Sequence, residues 1–176
     1  MHLYLMGYRG SGKSTVGQLL AARLGLPIVD TDAVIESVAG QTIREIFAAE
    51  GEQGFRQREQ AAVTEVAAMN SASVISLGGG AVLRPANQHT IQRTGQVVWL
   101  TGSPAALLAR MQADSTTHQR RPSLSLSSDY DEIVEILAAR TPIYRRLANL
   151  TVDTDDRTPE EIVADIADWL KLTAAP

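Results

Sequence analysis

The run Gly7-Tyr8-Arg9-Gly10-Ser11-Gly12-Lys13-Ser14 constrains the surrounding chain more than any other feature. It places four residues between two glycines and follows the second glycine with Lys and Ser, the pattern of a phosphate-binding loop. That pattern carries meaning only where a strand enters it and a helix leaves it. Both conditions hold here. Leu3 to Met6 is a short apolar run, and Val16, Leu19, Leu20 and Leu24 recur at helical spacing, with Gly25 placed to end the helix. Glycines let backbone N–H groups turn inward and approach phosphate closely, and the helix N-terminus adds partial positive charge. Lys13 can reach the outer phosphates, and the Ser14 hydroxyl can ligate Mg²⁺. A glycine turn that merely caps a helix would need no lysine. This chain has only two, Lys13 and Lys171, among its 16 Lys and Arg, so a lysine at this position is not background.

Further strands are expected at Pro27 to Asp30, Ser73 to Leu77, Gln96 to Leu100 and Asn149 to Asp153. Helical segments are expected from Ala33 to about Met69, broken near Gly40 and Gly51, and after Pro85. Others should start at Ser103-Pro104, run from Tyr130 to about Leu147 with a kink at Pro142, and follow the Thr158-Pro159-Glu160-Glu161 cap. Strands alternating with helices predict α/β architecture, a five-stranded parallel sheet between two helical layers. The 176 residues fit one domain, residues 1–176. The polar stretch of about 114–128 has no apolar period and reads as a mobile lid.

Composition narrows the function. No stretch approaches the ~20 apolar residues of a membrane span. A net charge of −4 argues against nucleic acid as a partner. With no cysteine, disulfides and thiolate metal sites are excluded, which fits a cytoplasmic protein. A guanine-reading Asn-Lys-x-Asp segment is absent, so adenine is the expected base. His2, His89 and His118 are scattered and receive no role, and Trp99 and Trp169 are expected in the core.

The third expected strand ends in Gly78-Gly79-Gly80 instead of an aspartate, so Asp30 is the nearest substitute for holding Mg²⁺. Asp30 and Asp32 stand two apart at the end of a strand, where ligands bind in open α/β sheets, so in extended chain they point the same way. One could serve metal and the other could accept a hydrogen bond from a substrate hydroxyl. Alternatively, one of them caps the helix expected near Ala33.

Taken in order, several short stretches resemble the shikimate kinase family. They are Gly-x-x-Gly-Ser-Gly-Lys-Ser-Thr, Asp30-Thr31-Asp32, Phe55-Arg56-x-Arg58-Glu59, Leu77-Gly78-Gly79-Gly80, Arg121-Pro122, Arg140-x-Pro142-x-Tyr144 and Val152-Asp153-Thr154. The resemblance implies a P-loop kinase fold and an enzyme that transfers the γ-phosphoryl of ATP to the 3-hydroxyl of shikimate, in chorismate biosynthesis. It implies that Gly10, Ser11, Gly12, Lys13, Ser14 and Thr15 cradle the nucleotide, with Arg110, Arg157 and Pro159 near adenine. Ser14 and Asp30 would hold Mg²⁺, Asp30 through water. Asp32 would bind the shikimate hydroxyls and accept the proton of the attacking one, Arg56 and Arg140 would grip its carboxylate, and Gly78, Gly79 and Gly80 would let backbone approach its ring. Arg121 would reach ATP phosphates from the lid, in preference to the neighbouring Arg120. A monomer is implied.

Chemistry supports these roles, since the arginine fork matches a carboxylate as lysine cannot. The plainer reading of Arg56 is an exposed helix charge paired with Glu52 or Glu59, and Arg58 is explained equally well as a solvated or paired arginine. Three rival functions remain: a gluconate kinase, a nucleoside monophosphate kinase and a nucleotide-binding module without turnover. Asp32 opposes the second, because it would repel an acceptor phosphate.

Overall fold

The structure, a computed structural model, describes residues 1–113 and 126–174. The lid expected at about 114–128, with Arg120 and Arg121, lies outside the described residues apart from the first helical positions at Leu126.

The elements run β1 (His2–Met6), α1 (Lys13–Leu24), β2 (Ile28–Asp30), α2 (Thr31–Ala39), α3 (Ile43–Ala67), β3 (Val74–Ser76), a 3₁₀ turn (Ala81–Leu83), α4 (Pro85–Thr94), β4 (Gly95–Thr101), α5 (Pro104–Ala113), α6 (Leu126–Leu147), β5 (Leu150–Asp153) and α7 (Pro159–Ala174). The five strands form one parallel sheet in the order β2-β3-β1-β4-β5. Alternation along each strand divides the core in two. Leu3, Leu5, Val98 and Leu100 face α1 and α7 through Val16, Leu20, Ile162 and Ile166. Tyr4, Met6, Val97 and Trp99 face the other helical layer through Val63, Val66, Ile91 and Tyr144. This is the expected three-layer αβα arrangement, and it follows from the two-residue side-chain period of strands buried on both faces. Trp99 is buried and Trp169 packs at the rim of the core.

Chain order reverses about β1. The chain leaves β1 for the β2 edge, returns through β3, and crosses to β4. The loops after β1 and β3 therefore part at the carboxyl end of the sheet, which is where such folds open a ligand crevice.

Two helix starts differ from expectation. Helix α2 starts at Thr31, two residues before Ala33. Helix α6 reaches the expected end at Leu147 with Pro142 inside it, although the proline supplies no N–H to the helix. It also begins before Tyr130, at Leu126. The breaks at glycine are as expected. Gly40 ends α2 at φ 61°, and Gly51 interrupts α3 at φ 65°, ψ −171°. No helix among the described residues is long and apolar enough to cross a membrane.

Candidate active site

The phosphate loop owes its shape to glycine. Gly10 and Gly12 hold φ 77° and 86°, a region L side chains avoid. A methyl on Gly10 would also stand 2.9 Å from the Leu107 carbonyl oxygen. Helix α1 has no side-chain cap and no acidic residue in its first turn, so its leading amides keep their capacity for an anion. The Lys13 ammonium donates to the carbonyls of Gly7 and Tyr8, each at 2.9 Å. An ammonium carries three donors, so one remains for phosphate. Burial pushes the Lys13 ammonium down to about 8, against the pull of Asp32 and then Asp30, while Arg140 pushes it further down.

That value sets a pH dependence. Triphosphate favours the charged lysine, so nucleotide binding draws a proton onto Lys13 once the pH exceeds about 8. Affinity for ATP is then expected to fall about fivefold between pH 8 and 9. Calorimetric titration in buffers of different ionisation enthalpy should show the matching proton uptake.

The Asp-Thr-Asp segment is arranged differently from an extended strand end. Asp30 closes β2 and caps α2, its Oδ1 accepting from the amides of Asp32 at 2.9 Å and Ala33 at 3.4 Å. The expectation that Asp30 and Asp32 point the same way along extended chain is therefore corrected: Asp32 belongs to the first turn of α2. Thr31 explains the early helix start. It is fully buried, its hydroxyl donates to the Ser76 carbonyl at 3.3 Å, and it accepts from the Gly78 amide at 2.9 Å. The start of α2 is thereby pinned to the glycine triplet. At Gly78 a methyl would lie 2.5 Å from Asp32 Oδ1.

The Asp30 cap uses Oδ1, and Oδ2 makes no hydrogen bond among the described residues. Asp30 and Ser14 line the same cleft. One carboxylate oxygen and one hydroxyl suit Mg²⁺, which keeps several waters and shares the phosphates of its nucleotide.

Two arginines close the other end. Arg56 Nη1 donates to Glu59 Oε2 at 2.8 Å, and its Nε and Nη2 each reach Glu52 Oε1 at 3.4 Å. The plainer pairing thus exists with both acids, Glu52 on the exposed side and Glu59 on the buried side. The Arg56 side chain is 13% exposed and that of Glu59 is 1% exposed. Arg140 Nη1 donates to the Gly79 carbonyl at 2.9 Å, and the buried Tyr144 hydroxyl donates to the same oxygen at 2.7 Å. Burial pushes the Tyr144 phenol up, which keeps it a donor. Gly79 lies close enough to the phosphate loop that a methyl there would stand 3.4 Å from the Gly7 carbonyl oxygen.

A methyl on Gly80 would meet the Arg56 guanidinium, 2.9 Å from Cζ. Since the obstacle is the end of a flexible side chain, Gly80→Ala is expected to leave the fold intact and displace Arg56. The KM for the acid acceptor should rise about fivefold and the KM for ATP should not move, as initial-rate kinetics can check.

At the far end, Arg110 donates to Thr154 Oγ1 at 2.7 Å and to the Thr154 carbonyl at 2.6 Å. Arg157 pairs with Asp165 at 2.7 Å, and Pro159 opens α7. A single cleft of about 850 Å³ joins both ends. It is lined by Gly10, Ser11, Gly12, Lys13, Ser14, Thr15, Asp30, Asp32, Arg56, Gly78, Gly79, Gly80, Arg110, Arg140, Arg157 and Pro159. Every expected site residue is there except Arg121, which lies outside the described residues.

Sequence reasoning passed over several residues of this cleft. Glu59 was visible only as a partner for Arg56; Tyr144, visible as part of a motif, does not line the cleft but supports it through the Gly79 carbonyl. Tyr8, at a variable position of the loop, has the Arg9 and Arg140 guanidinium carbons 5.6 Å and 5.9 Å from its ring centroid. Ile43 and Phe55 supply apolar wall, which helical spacing alone assigns to core.

Comparison with known proteins agrees with this geometry. A family model described as shikimate kinase matches residues 9–171. A shikimate kinase from Rhodopirellula baltica is 50% identical over 175 residues, covering 99% of this chain and 90% of the relative. The solved shikimate kinase from Acinetobacter baumannii, in complex with shikimate, superposes with a TM-score of 0.90 at 32% identity, over 99% of this chain and 95% of that one. A gluconokinase from Sinorhizobium meliloti shares the fold at 19% identity and a TM-score of 0.55, over 99% and 97% of the two chains. With half its residues identical to one such enzyme and the cleft intact, the chain belongs to the shikimate kinase family.

Proposed function

We propose that the chain transfers the γ-phosphoryl of ATP to the 3-hydroxyl of shikimate, giving shikimate 3-phosphate and ADP. One observation carries this reading. The phosphate loop, an acidic residue and two guanidinium groups share one cleft, whose volume is near the top of the range for single-ligand sites. Such a cleft has room for a nucleotide at one end and a small carboxylated acceptor at the other.

Phosphoryl transfer of this kind passes through a loose transition state with charge on the equatorial oxygens, so catalysis is mostly positioning and charge stabilisation. Lys13 would hold the outer phosphates, and the amides of Gly10 to Thr15 would fix the remainder. Arg56 and Arg140 would grip the shikimate carboxylate as two forks. Asp32 would accept a hydrogen bond from the attacking hydroxyl, orient it in line and take its proton as the new O–P bond forms and ADP leaves. Ser14 and Asp30 would hold Mg²⁺, Asp30 through water, and the ion supplies charge neutralisation at the outer phosphates. Arg110, Arg157 and Pro159 would flank adenine. Arg121 would reach phosphate from a lid over about 114–128 within a single kinase domain of residues 1–176. Closure of that lid would keep water from the γ-phosphoryl. We also place the protein in the cytoplasm, in line with its lack of cysteine, and take it to act as a monomer, as the family resemblance implies.

The test is ADP release, coupled to a detectable reaction, with shikimate present, absent, or replaced by gluconate. Release dependent on shikimate and not supported by gluconate is expected. Equal release with both acids, or release indifferent to either, would overturn the assignment.

A further inference from the structure

Arg58 belongs to the Phe55-Arg56-Gln57-Arg58-Glu59 stretch but has no part in the chemistry above. Its contact is unusual for a helical residue. It grips Glu50, eight positions earlier, with Nε donating to Oε2 at 2.9 Å and Nη2 donating to Oε1 at 2.6 Å. On a continuous helix, side chains three or four apart meet, and residues eight apart are separated by about 12 Å along the axis. The pair closes because α3 is two helical pieces meeting at Gly51. The φ 65°, ψ −171° of Gly51 belong to a region essentially reserved for glycine.

The joint is built on both sides. Phe47, before the break, stacks on Phe55, after it, with centroids 4.5 Å apart and planes 27° from parallel. Opposite a methyl on Gly54 would stand the Glu50 side chain, with Oε2 at 2.9 Å, so only glycine leaves that carboxylate its place. Gly51, Gly54, Glu50 and Arg58 thus serve one corner. The piece before the corner begins with Ile43 and the piece after it carries Phe55 and Arg56. All three line the acid end of the cleft, and Glu50 and Arg58 do not line it. The angle at Gly51 therefore sets how far the Ile43 wall stands from the Arg56 guanidinium.

We propose that Glu50 and Arg58 are positioning residues. Their paired side chains fix the bend of α3 and with it the width of the acid end of the cleft, so that they tune affinity for the acceptor without touching it. This rests on the reading that Arg56 grips the acceptor carboxylate.

The test compares Arg58→Gln, Glu50→Gln, the double variant and Arg58→Lys by initial-rate kinetics. The two side chains are 35% and 33% exposed, so the fold should tolerate these changes. Each single glutamine variant is expected to raise the KM for shikimate about three- to fivefold, with kcat and the KM for ATP unchanged. The double variant should be no worse than either single one. Arg58→Lys, which keeps the charge and loses the fork, should recover part of the effect. An unchanged KM for shikimate, a parallel rise in the KM for ATP, or additive effects in the double variant would overturn the proposal. Arg56→Lys separates the two levels. If it raises the KM for shikimate while the Arg58 variants do not, only the corner's role fails. If it leaves that KM unchanged, the carboxylate reading beneath the proposal fails.

Discussion

Replacing Lys13 by methionine is expected to lower kcat/KM about 1,000-fold, the scale on which a preorganised charged donor at a developing anion contributes. Two losses combine. The ammonium that would follow the transferring phosphoryl disappears, and so do the bonds to the Gly7 and Tyr8 carbonyls that close the loop. The fold should persist. Burial depresses the Lys13 pKa, so at pH 7 the charged side chain is a cost to the folded state that methionine removes. Circular dichroism and thermal melting should therefore be close to those of the parent while turnover collapses. Near-normal turnover would remove Lys13 from the mechanism.

Arg140→Lys is the second large effect. The KM for shikimate should rise about 30-fold, equivalent to about 2 kcal/mol, because a point charge replaces a planar fork. The side chain also holds the Gly79 carbonyl at 2.9 Å and faces the Tyr8 ring, so its geometry is set from two directions before any acid arrives. ATP binding should be nearly unaffected, since lysine keeps the positive charge that bears on Lys13. Separate titrations of the two substrates would check this. An unchanged KM for shikimate would move the carboxylate site elsewhere.

What could be read in the sequence was what local rules decide. A strand, a glycine loop and a helix in succession define the phosphate site because no distant residue is needed to shape it. The alternation of Leu3, Tyr4, Leu5 and Met6 placed side chains on both faces of a buried strand. Depth and direction were less legible. Spacing gave Arg56 its partners Glu52 and Glu59, but not that the pair sits in the wall of a cleft. The start of α2 was missed because Thr31 is drawn in by Gly78, a contact across 47 positions. Asp32 consequently leaves from a helical turn instead of a strand. Arg58 could not be assigned from spacing, since its partner lies eight residues away across a bend that only Gly51 hinted at.

The molecule carries a net charge of −4, yet among the described residues one opening is bordered by six cations, Arg9, Lys13, Arg56, Arg110, Arg140 and Arg157, against four carboxylates, Asp30, Asp32, Glu59 and Glu132. Both substrates are anions. They are weakly repelled by most of the surface and drawn toward a single mouth, where low-dielectric walls focus the local field. That attraction reaches only about 8 Å at physiological ionic strength. Capture from solution is thus more sensitive to salt than the chemistry that follows it.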